Sequence, residues 1–210
     1  MLRYLTADEL GAYPALQASM FADRARQFRE RLGWEVRVDR NGWERDDYDD
    51  LNPIYVIWQR ADGLHGGSLR FLPTEGRTMV NEHFATLSAG RIYRHPRLWE
   101  CTRFCLSEGA PAYTSAALML GGAQLGIGLG LARAVGVFDA RMVRIYRALG
   151  WPPVVLGTRG EGTEAVSVGM WEISEETRQR MARKAGVAVE LSQRWFDAAR
   201  AGLRGQAAAG

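Results

Sequence analysis

Nine consecutive residues, Leu98-Trp99-Glu100-Cys101-Thr102-Arg103-Phe104-Cys105-Leu106, hold no glycine or proline and are rich in aromatic, threonine and cysteine side chains. That composition predicts a β-strand. Strand side chains alternate between faces, which puts Trp99, Cys101, Arg103 and Cys105 on one side and Glu100, Thr102, Phe104 and Leu106 on the other. Each face then carries one charge among mostly apolar neighbours. A carboxylate and a guanidinium in that setting are costly unless each has a partner or a ligand. An edge strand with two solvated charges is the alternative. The strand therefore asks the rest of the chain for a sheet, and for something to meet its charges.

The chain has 210 residues, 47% of them hydrophobic, and no Pro/Gly/Ser-rich linker divides it. One domain over residues 1–210 is expected, with a frayed tail over 204–210. The start, Met1-Leu2-Arg3-Tyr4, opens no apolar run of signal-peptide length, and no uncharged apolar stretch of about 18 residues occurs. A soluble, cytoplasmic protein without a membrane span is expected. Cys101 and Cys105 are expected about 13 Å apart on one strand face, too far for a disulfide. Those two cysteines and His65, His83 and His95 show no metal-ligand spacing. The net charge is +3, carried almost wholly by arginine, since Lys184 is the only lysine. Such a balance suits a phosphorylated cofactor or an acidic protein partner. No basic run interleaved with aromatics points to nucleic acid.

Pro14 suits a first helical turn and Gly33 a terminator, so residues 14–32 are predicted helical. Leu16, Met20, Arg24, Phe28 and Leu32 recur every four residues, which places Arg24 inside an apolar stripe. It either snorkels off that face or serves a site. Next comes a turn-rich acidic cluster, with five carboxylates in residues 44–50. They repel one another unless a cation lies among them, so the cluster is either a solvated loop or a site for a cationic ligand. Strands are predicted at 54–58 and 68–72 around the Gly66-Gly67 turn, with Arg70 facing away from Leu69 and Phe71. Residues 75–96 are mixed loop and short helix, with Phe84 as a candidate buried anchor.

Thr114 or Ser115 is expected to cap a helix running to Ala134, whose five glycines would serve close packing on a sheet. Neither G-x-G-x-x-G after a strand nor a Walker pattern is present. A short buried strand is expected at 135–138. Asp139 then caps a helix with Met142, Ile145, Tyr146 and Leu149 toward the core, stopped by Gly150 and Pro152. Strands at 154–156 and 165–173 follow. Ser174 caps a polar helix, and Leu191, Trp195 and Leu203 line the last one. Alternating strands and helices around one sheet give an α/β three-layer sandwich.

Taken in order, Arg24-x-x-x-Phe28 with Arg31-Leu32-Gly33-Trp34, Glu44-x-Asp46-x-x-Asp49, Leu69-Arg70-Phe71-Leu72-Pro73-Thr74 and Trp99-Glu100-x-x-Arg103-Phe104 resemble the acyl-homoserine-lactone synthases. These are the bacterial autoinducer synthases of quorum sensing. The resemblance spans about residues 20–157 and includes Gly150-Trp151. It implies an acetyltransferase-like (GNAT) α/β/α fold with a mixed central sheet. It also implies two substrates. S-adenosyl-L-methionine (SAM) gives an amine, and an acyl thioester on acyl carrier protein, or on coenzyme A, gives the acyl group. Acyl transfer and lactonisation then release 5′-methylthioadenosine. SAM is a substrate here, and no cofactor or metal is implied.

Carried over by motif, the functional set is Arg24, Phe28, Trp34, Asp46, Asp49, Arg70, Glu100 and Arg103. SAM is a sulfonium bearing an ammonium, for which Asp46 and Asp49 supply charge and Phe28 and Trp34 supply ring faces. Arg24 and Arg70 hold a carboxylate or pin the acidic loop to the sheet. An α-ammonium with a pKa of about 8 must lose a proton before attack. Glu100 is the candidate base, directly or through water. A strand splayed from its neighbour there would offer N–H groups to the oxyanion. Val137, Phe138 and Met142 are expected to line the acyl pocket. Gln124-Leu125-Gly126-Ile127-Gly128 falls one residue short of the coenzyme-A acetyltransferase loop Q/R-x-x-G-x-G/A, which favours acyl carrier protein as donor. An N-acyltransferase of the same fold acting on another amine is the alternative. If Arg24 serves the SAM site at the expense of stability, Arg24→Met should fold at least as well as wild type and lose activity.

Overall fold

Residues 98–106 do form a strand, β4 (Leu98–Leu106), and it lies at the middle of a seven-stranded sheet. The computed structural model describes residues 1–207, with side chains for 1–203. Across the sheet the order is β1 (Leu2–Thr6), β2 (Ile54–Gln59), β3 (His65–Pro73), β4, β5 (Arg133–Asp139), β7 (Val166–Glu172) and β6 (Val154–Arg159). Every neighbouring pair is antiparallel except β4 and β5, so the sheet is mixed as expected. The β4–β5 ladder is short. It pairs Leu98 with Arg133, Trp99 with Ala134 and Glu100 with Val135, and there it stops. Beyond that point each strand has an unpaired edge facing the other.

Helices α4 (Tyr113–Gly128), α6 (Glu175–Ala185) and α7 (Val189–Ala207) cover one face of the sheet, around Leu118, Leu120, Leu125, Met181 and Phe196. On the other face α1 (Ala7–Leu10) and α2 (Pro14–Ala25) bury Leu10, Leu16, Met20 and Phe21 against Tyr55 and Ile57. Val80 on α3 (Met79–Glu82) joins a third cluster with Val135 and Val168. This is the predicted three-layer α/β/α arrangement.

The structure departs from the strand alternation at one residue. Arg103 has a left-handed φ of 55°, and the β3–β4 register jumps from Ser68↔Cys105 to Arg70↔Thr102. The bulge resets the faces. Phe104 and Leu106 join Trp99 and Cys101 against the large core, and Arg103 swings to the side of Glu100, Thr102 and Arg70. The expectation of one charge per face is therefore corrected: both charges share a face. The two cysteines also part, Cys105 lying toward Asp23 and Arg24, and both are free.

Other boundaries move for local reasons. The predicted 14–32 helix is α2 continued by a π-helical stretch, Arg26–Arg31, and Gly33 ends it at φ 68°. Helix α4 begins after Ala112 without a side-chain cap, so neither Thr114 nor Ser115 caps it. It stops at Gly128 rather than Ala134, because Gly130 turns at φ 71° and β5 starts at Arg133. Asp139 caps α5 (Ala140–Leu149) and Ser174 caps α6, as expected. Ile145 is 38% exposed instead of core-facing. Phe196, not Trp195 or Leu191, is the fully buried aromatic of α7. Strand β1 and helix α1 were not foreseen, although Thr6 and Glu9 carry a capping-box signature that the structure uses. The α7 backbone is helical through Ala207, against the expected tail, of which residues 208–210 lie outside the described residues.

The glycines of α4 do serve close packing. A Cβ on Gly121 would meet Val56 Cγ1 at 2.4 Å, and one on Gly128 would meet the Phe196 ring at 2.2 Å. Alanine gains about 1 kcal/mol over glycine in a helix interior, whereas overpacking a core costs about 1–3 kcal/mol. Val56 is β-branched and fully buried in the sheet, so it has little room to give. Gly121→Ala is expected to lower stability by roughly 1–2 kcal/mol net, read as a lower urea midpoint at unchanged m-value. A raised midpoint would show that α4 can lift off β2.

Candidate active site

Arg24 occupies the core-facing register its stripe predicts and is 1% exposed. Its Nε donates to Glu44 Oε2 at 2.6 Å, and Nη1 and Nη2 donate to the two oxygens of Asp49 at 2.9 Å each. Arg70 arrives from β3. It grips both oxygens of Asp46, reaches Asp49 Oδ1 at 2.9 Å, and donates through Nε to Thr102 Oγ1 at 3.0 Å. The bulged Arg103 donates through Nη2 to Glu44 Oε1 at 2.9 Å and to Asp46 Oδ2 at 2.6 Å. Three arginines from three elements thus meet three carboxylates of one loop, and the cluster is neutral as a whole.

The acidic segment is accordingly neither a solvated loop nor an open cation site. Its cations come from the protein itself, and only Asp47 and Asp50 of the five carboxylates are exposed. Asp49 also accepts from the Tyr55 hydroxyl at 2.7 Å and from the backbone N–H of Asp46 at 2.9 Å. It is fully buried, so the expectation that it contacts SAM gives way to a bracing role, with its oxygens already taken. Burial opposes the charge of Asp49, yet Arg24 and Arg70 hold its carboxyl well below the usual range. Burial likewise opposes Arg24, which Asp49 and Glu44 hold above its ordinary value. Arg103 differs: burial pulls its guanidinium below the ordinary value despite Glu44 and Asp46.

Glu100 lies on the same face, fully buried. It accepts from the backbone N–H of Val80 at 2.6 Å and of Met79 at 3.1 Å, at the start of α3. Burial outweighs these bonds and pushes its pKa to about 7.

Beside the cluster runs an open groove of about 390 Å³, lined among others by Phe28, Trp34, Met79, Arg103, Phe138 and Met142. Phe28 and Trp34 stack at 5.2 Å and 9°, and the Arg103 guanidinium sits 5.3 Å from the Phe28 ring centre. Trp34 is 40% exposed, a large ring held at the mouth. Where β4 and β5 part, a narrow cavity of about 60 Å³ enters the core between Cys101, Met119, Ala134, Trp151, Trp171 and Ile173. Groove and cavity share Thr102, Arg103, Phe104, Val137 and Tyr146, so they meet at the parted strands. Gly136 lets those strands close up just before they part, since a Cβ there would lie 2.6 Å from Cys101 O.

Of the expected residues, Phe28, Trp34, Arg103, Val137, Phe138 and Met142 line the groove, while Arg24, Asp46, Asp49, Arg70 and Glu100 lie behind it. Val137 alone of the expected acyl-pocket residues also lines the inner cavity. Phe138 turns its ring to Tyr146 and Trp171, and Met142 stays in the groove. Glu44 stood inside a recognised motif but outside the expected functional set, and it bridges Arg24 to Arg103. Met119, Trp171 and Ile173 carried no local signal. They reach the cavity from α4, β7 and the residue after it. Gln124 is buried inside α4, tied to Gln193 and Arg178, so its segment is no phosphate loop and the spacing argument for the donor falls. Among the described residues no His/Cys/Asp/Glu group could hold a metal, and no helix is long and apolar enough to cross a membrane.

Residues 12–181 match the family model described as autoinducer synthase. The acyl-homoserine-lactone synthase of Rhizobium etli is 39% identical over 183 residues, covering 84% of this chain and 86% of that protein. Among solved structures, the coenzyme-A-dependent acyl-homoserine lactone synthase BjaI, with SAM and isopentyl-CoA, aligns with a TM-score of 0.79 at 22% identity, covering 89% and 90% of the two chains. An N-acetyltransferase from Lactobacillus plantarum, described as putative in its own name, aligns at 0.55 and 15% identity over 82% of this chain and 99% of that one, which extends the likeness to the acetyltransferase fold. A match running through the buried charge cluster, the groove and the parted strands places this chain in the autoinducer synthase family, the acyl-homoserine-lactone synthases, and makes it an acyltransferase.

Proposed function

We propose that this enzyme transfers an acyl group from acyl carrier protein to the amine of SAM and then closes the lactone with release of 5′-methylthioadenosine. The observation that carries this reading is the meeting of an aromatic, partly cationic groove with an apolar cavity at one gap in the sheet. Two substrates of those characters reach each other only there. Stacked Phe28 and Trp34 offer ring faces to the adenosyl sulfonium. The apolar cavity takes the acyl chain, and Met119 and Trp171 bound its depth.

In the first step the amine nitrogen bonds to the thioester carbon, and the C–S bond breaks, the carrier sulfur leaving as a thiol with the second proton of the attacking nitrogen. The unpaired strand edges beyond Glu100 and Val135 offer backbone N–H groups to the oxyanion. Glu100 takes the proton from the amine through a water, because it is buried and does not itself line the groove. In the second step the carboxylate of the same substrate attacks its own γ-carbon. The C–S⁺ bond breaks, and neutral methylthioadenosine leaves without needing an acid.

Two observations favour the carrier protein as donor. Helix α5 exposes Arg141, Arg144 and Arg147 beside the groove, and Lys184 joins their end by donating to Ala148 O at 2.9 Å. That strip suits an acidic protein. The loop before α4, residues 107–112, holds Glu108 and no cation for a diphosphate. Purified enzyme is expected to show a kcat/KM at least about tenfold higher with acyl carrier protein thioesters than with coenzyme A thioesters. Arg144→Glu with Arg147→Glu should raise KM for the carrier substrate alone, by roughly tenfold for about 1.4 kcal/mol lost. Equal use of both donors would remove the carrier assignment.

Glu100→Gln should lower turnover by about 10²–10⁴ with little change in SAM affinity. Glutamine can present one oxygen only, so one of the N–H groups of Met79 and Val80 loses its acceptor and some stability goes with it. With a raised folded pKa of about 7, the carboxylate form needed of a base is depleted below neutrality. Turnover of wild type should fall about tenfold per pH unit under pH ~7 and flatten above it. A flat profile from pH 5 to 8 would remove Glu100 as base.

For Arg24→Met, the buried cluster reverses the expectation of equal or higher stability. Methionine would leave Glu44 and Asp49 short of a cation inside the protein. Breaking one side of such a pair costs about 3–5 kcal/mol, so the variant should melt well below wild type and make no lactone. An unchanged melting temperature would show that Arg70 and Arg103 alone can neutralise the loop.

A further inference from the structure

Nearly every donor of Arg70 and Arg103 bonds a carboxylate or the Thr102 hydroxyl, with one exception. Arg103 Nη1 has the Met79 sulfur, at 3.6 Å, as its partner among the described residues. Arg70 Nη2, already on Asp46 Oδ2, lies 3.4 Å from the same sulfur. A thioether is a weak acceptor for two charged donors. Nor does burial force this pairing, because Met79 is half-buried and lines the groove together with Phe28 and Arg103. At its other end Met79 donates its backbone N–H to Glu100 Oε2 at 3.1 Å. One residue therefore touches the base with its backbone and two guanidinium groups with its side chain. An α-amino acid needs that pairing in one place, since its amine and carboxylate share a carbon.

We propose that the Met79 thioether is a stand-in for the α-carboxylate of the acceptor: it fills the seat on Arg70 Nη2 and Arg103 Nη1 in the free enzyme, and acceptor binding displaces it. The inference rests on SAM as acceptor, proposed above. The charge cluster is neutral, and Arg103 is the guanidinium that burial leaves under-compensated, so an arriving anion makes up what burial removes. Methionine is unbranched and turns about three bonds, which makes it easy to move aside. The seat also selects: an amine without a neighbouring carboxylate has nothing to put there.

Competition between sulfur and carboxylate sets the test. Dissociation constants for SAM and for 5′-methylthioadenosine, which lacks the α-carboxylate and α-amine, are to be measured by calorimetry on wild type, Met79→Ala and Met79→Leu. Both variants remove the sulfur, and the leucine variant keeps the bulk should alanine weaken the fold. SAM is expected to bind about two- to tenfold tighter in the variants, the range of one modest hydrogen bond. Methylthioadenosine should stay within twofold of wild type. SAM affinity that is unchanged or weaker, or that changes in step with methylthioadenosine, would overturn the stand-in role. Wild type that binds methylthioadenosine but not SAM would instead overturn the acceptor on which the proposal stands.

Discussion

Six charges packed together, Arg24, Glu44, Asp49 and Arg70 buried and Asp46 and Arg103 half-buried, would ordinarily oppose folding, since each buried ion gives up hydration worth several kcal/mol that Coulomb attraction returns only with good geometry. Here the geometry is good. Arg24 takes Asp49 with two nitrogens and Glu44 with the third, Arg70 takes Asp46 with two, and Arg103 closes the set. The three arginines come from α2, β3 and β4, so the loop that carries the acids is stapled to three elements at once. Without that loop Arg103, which lines the groove, loses the carboxylates that hold it. A hydrophobic cluster could have packed the same volume at less risk, so the charges are retained for what they position.

Arg103 reaches the cluster because its backbone is left-handed, which costs a non-glycine residue of order 1–3 kcal/mol unless the surroundings hold it. The cluster holds it, through Glu44 and Asp46. The same bulge turns Phe104 to the core side, where its ring meets Tyr146 at 6.3 Å, and Tyr146 meets Trp171 at 5.0 Å. A single backbone irregularity thus supplies a cation to the groove and an aromatic wall to the inner cavity. Strand β4 is the partition between the groove and the inner cavity, and its departure from β5 is the opening through which they communicate.

Much of this was legible in the sequence where the signal is local or periodic. The four-residue stripe put Arg24 in a core-facing register, where the structure buries it, the composition of residues 98–106 marked a strand, and Asp139 and Ser174 marked two helix starts. What escaped was set by contacts far apart in the chain. A bulge at Arg103 follows from its pull toward Glu44, 59 residues away, and nothing in its neighbours announces it. The acidic loop read as repulsive because its counter-ions lie 20 to 59 residues distant. Apolar sequence from 116 to 135 hid the end of α4, since a buried helix and a buried strand have the same composition there. The acidic run of residues 44–50 was visible, and its three-dimensional neutrality was not.

The placement of Glu100 shows why neutrality matters to chemistry. A carboxyl buried beside three uncompensated arginines would be held ionised far below neutral pH, and a base so weak would leave an ammonium protonated. With Glu44, Asp46 and Asp49 paired to the arginines, burial outweighs the pull of the Val80 and Met79 N–H groups, Arg70 and Arg103 on Glu100 and raises its pKa to about 7. The N–H groups of Met79 and Val80 then orient the carboxyl without making it too acidic to accept a proton. The charge cluster therefore acts twice. It fixes the acidic loop in space, and by closing its own charge balance it leaves the neighbouring glutamate near neutrality, as the proposed base role requires.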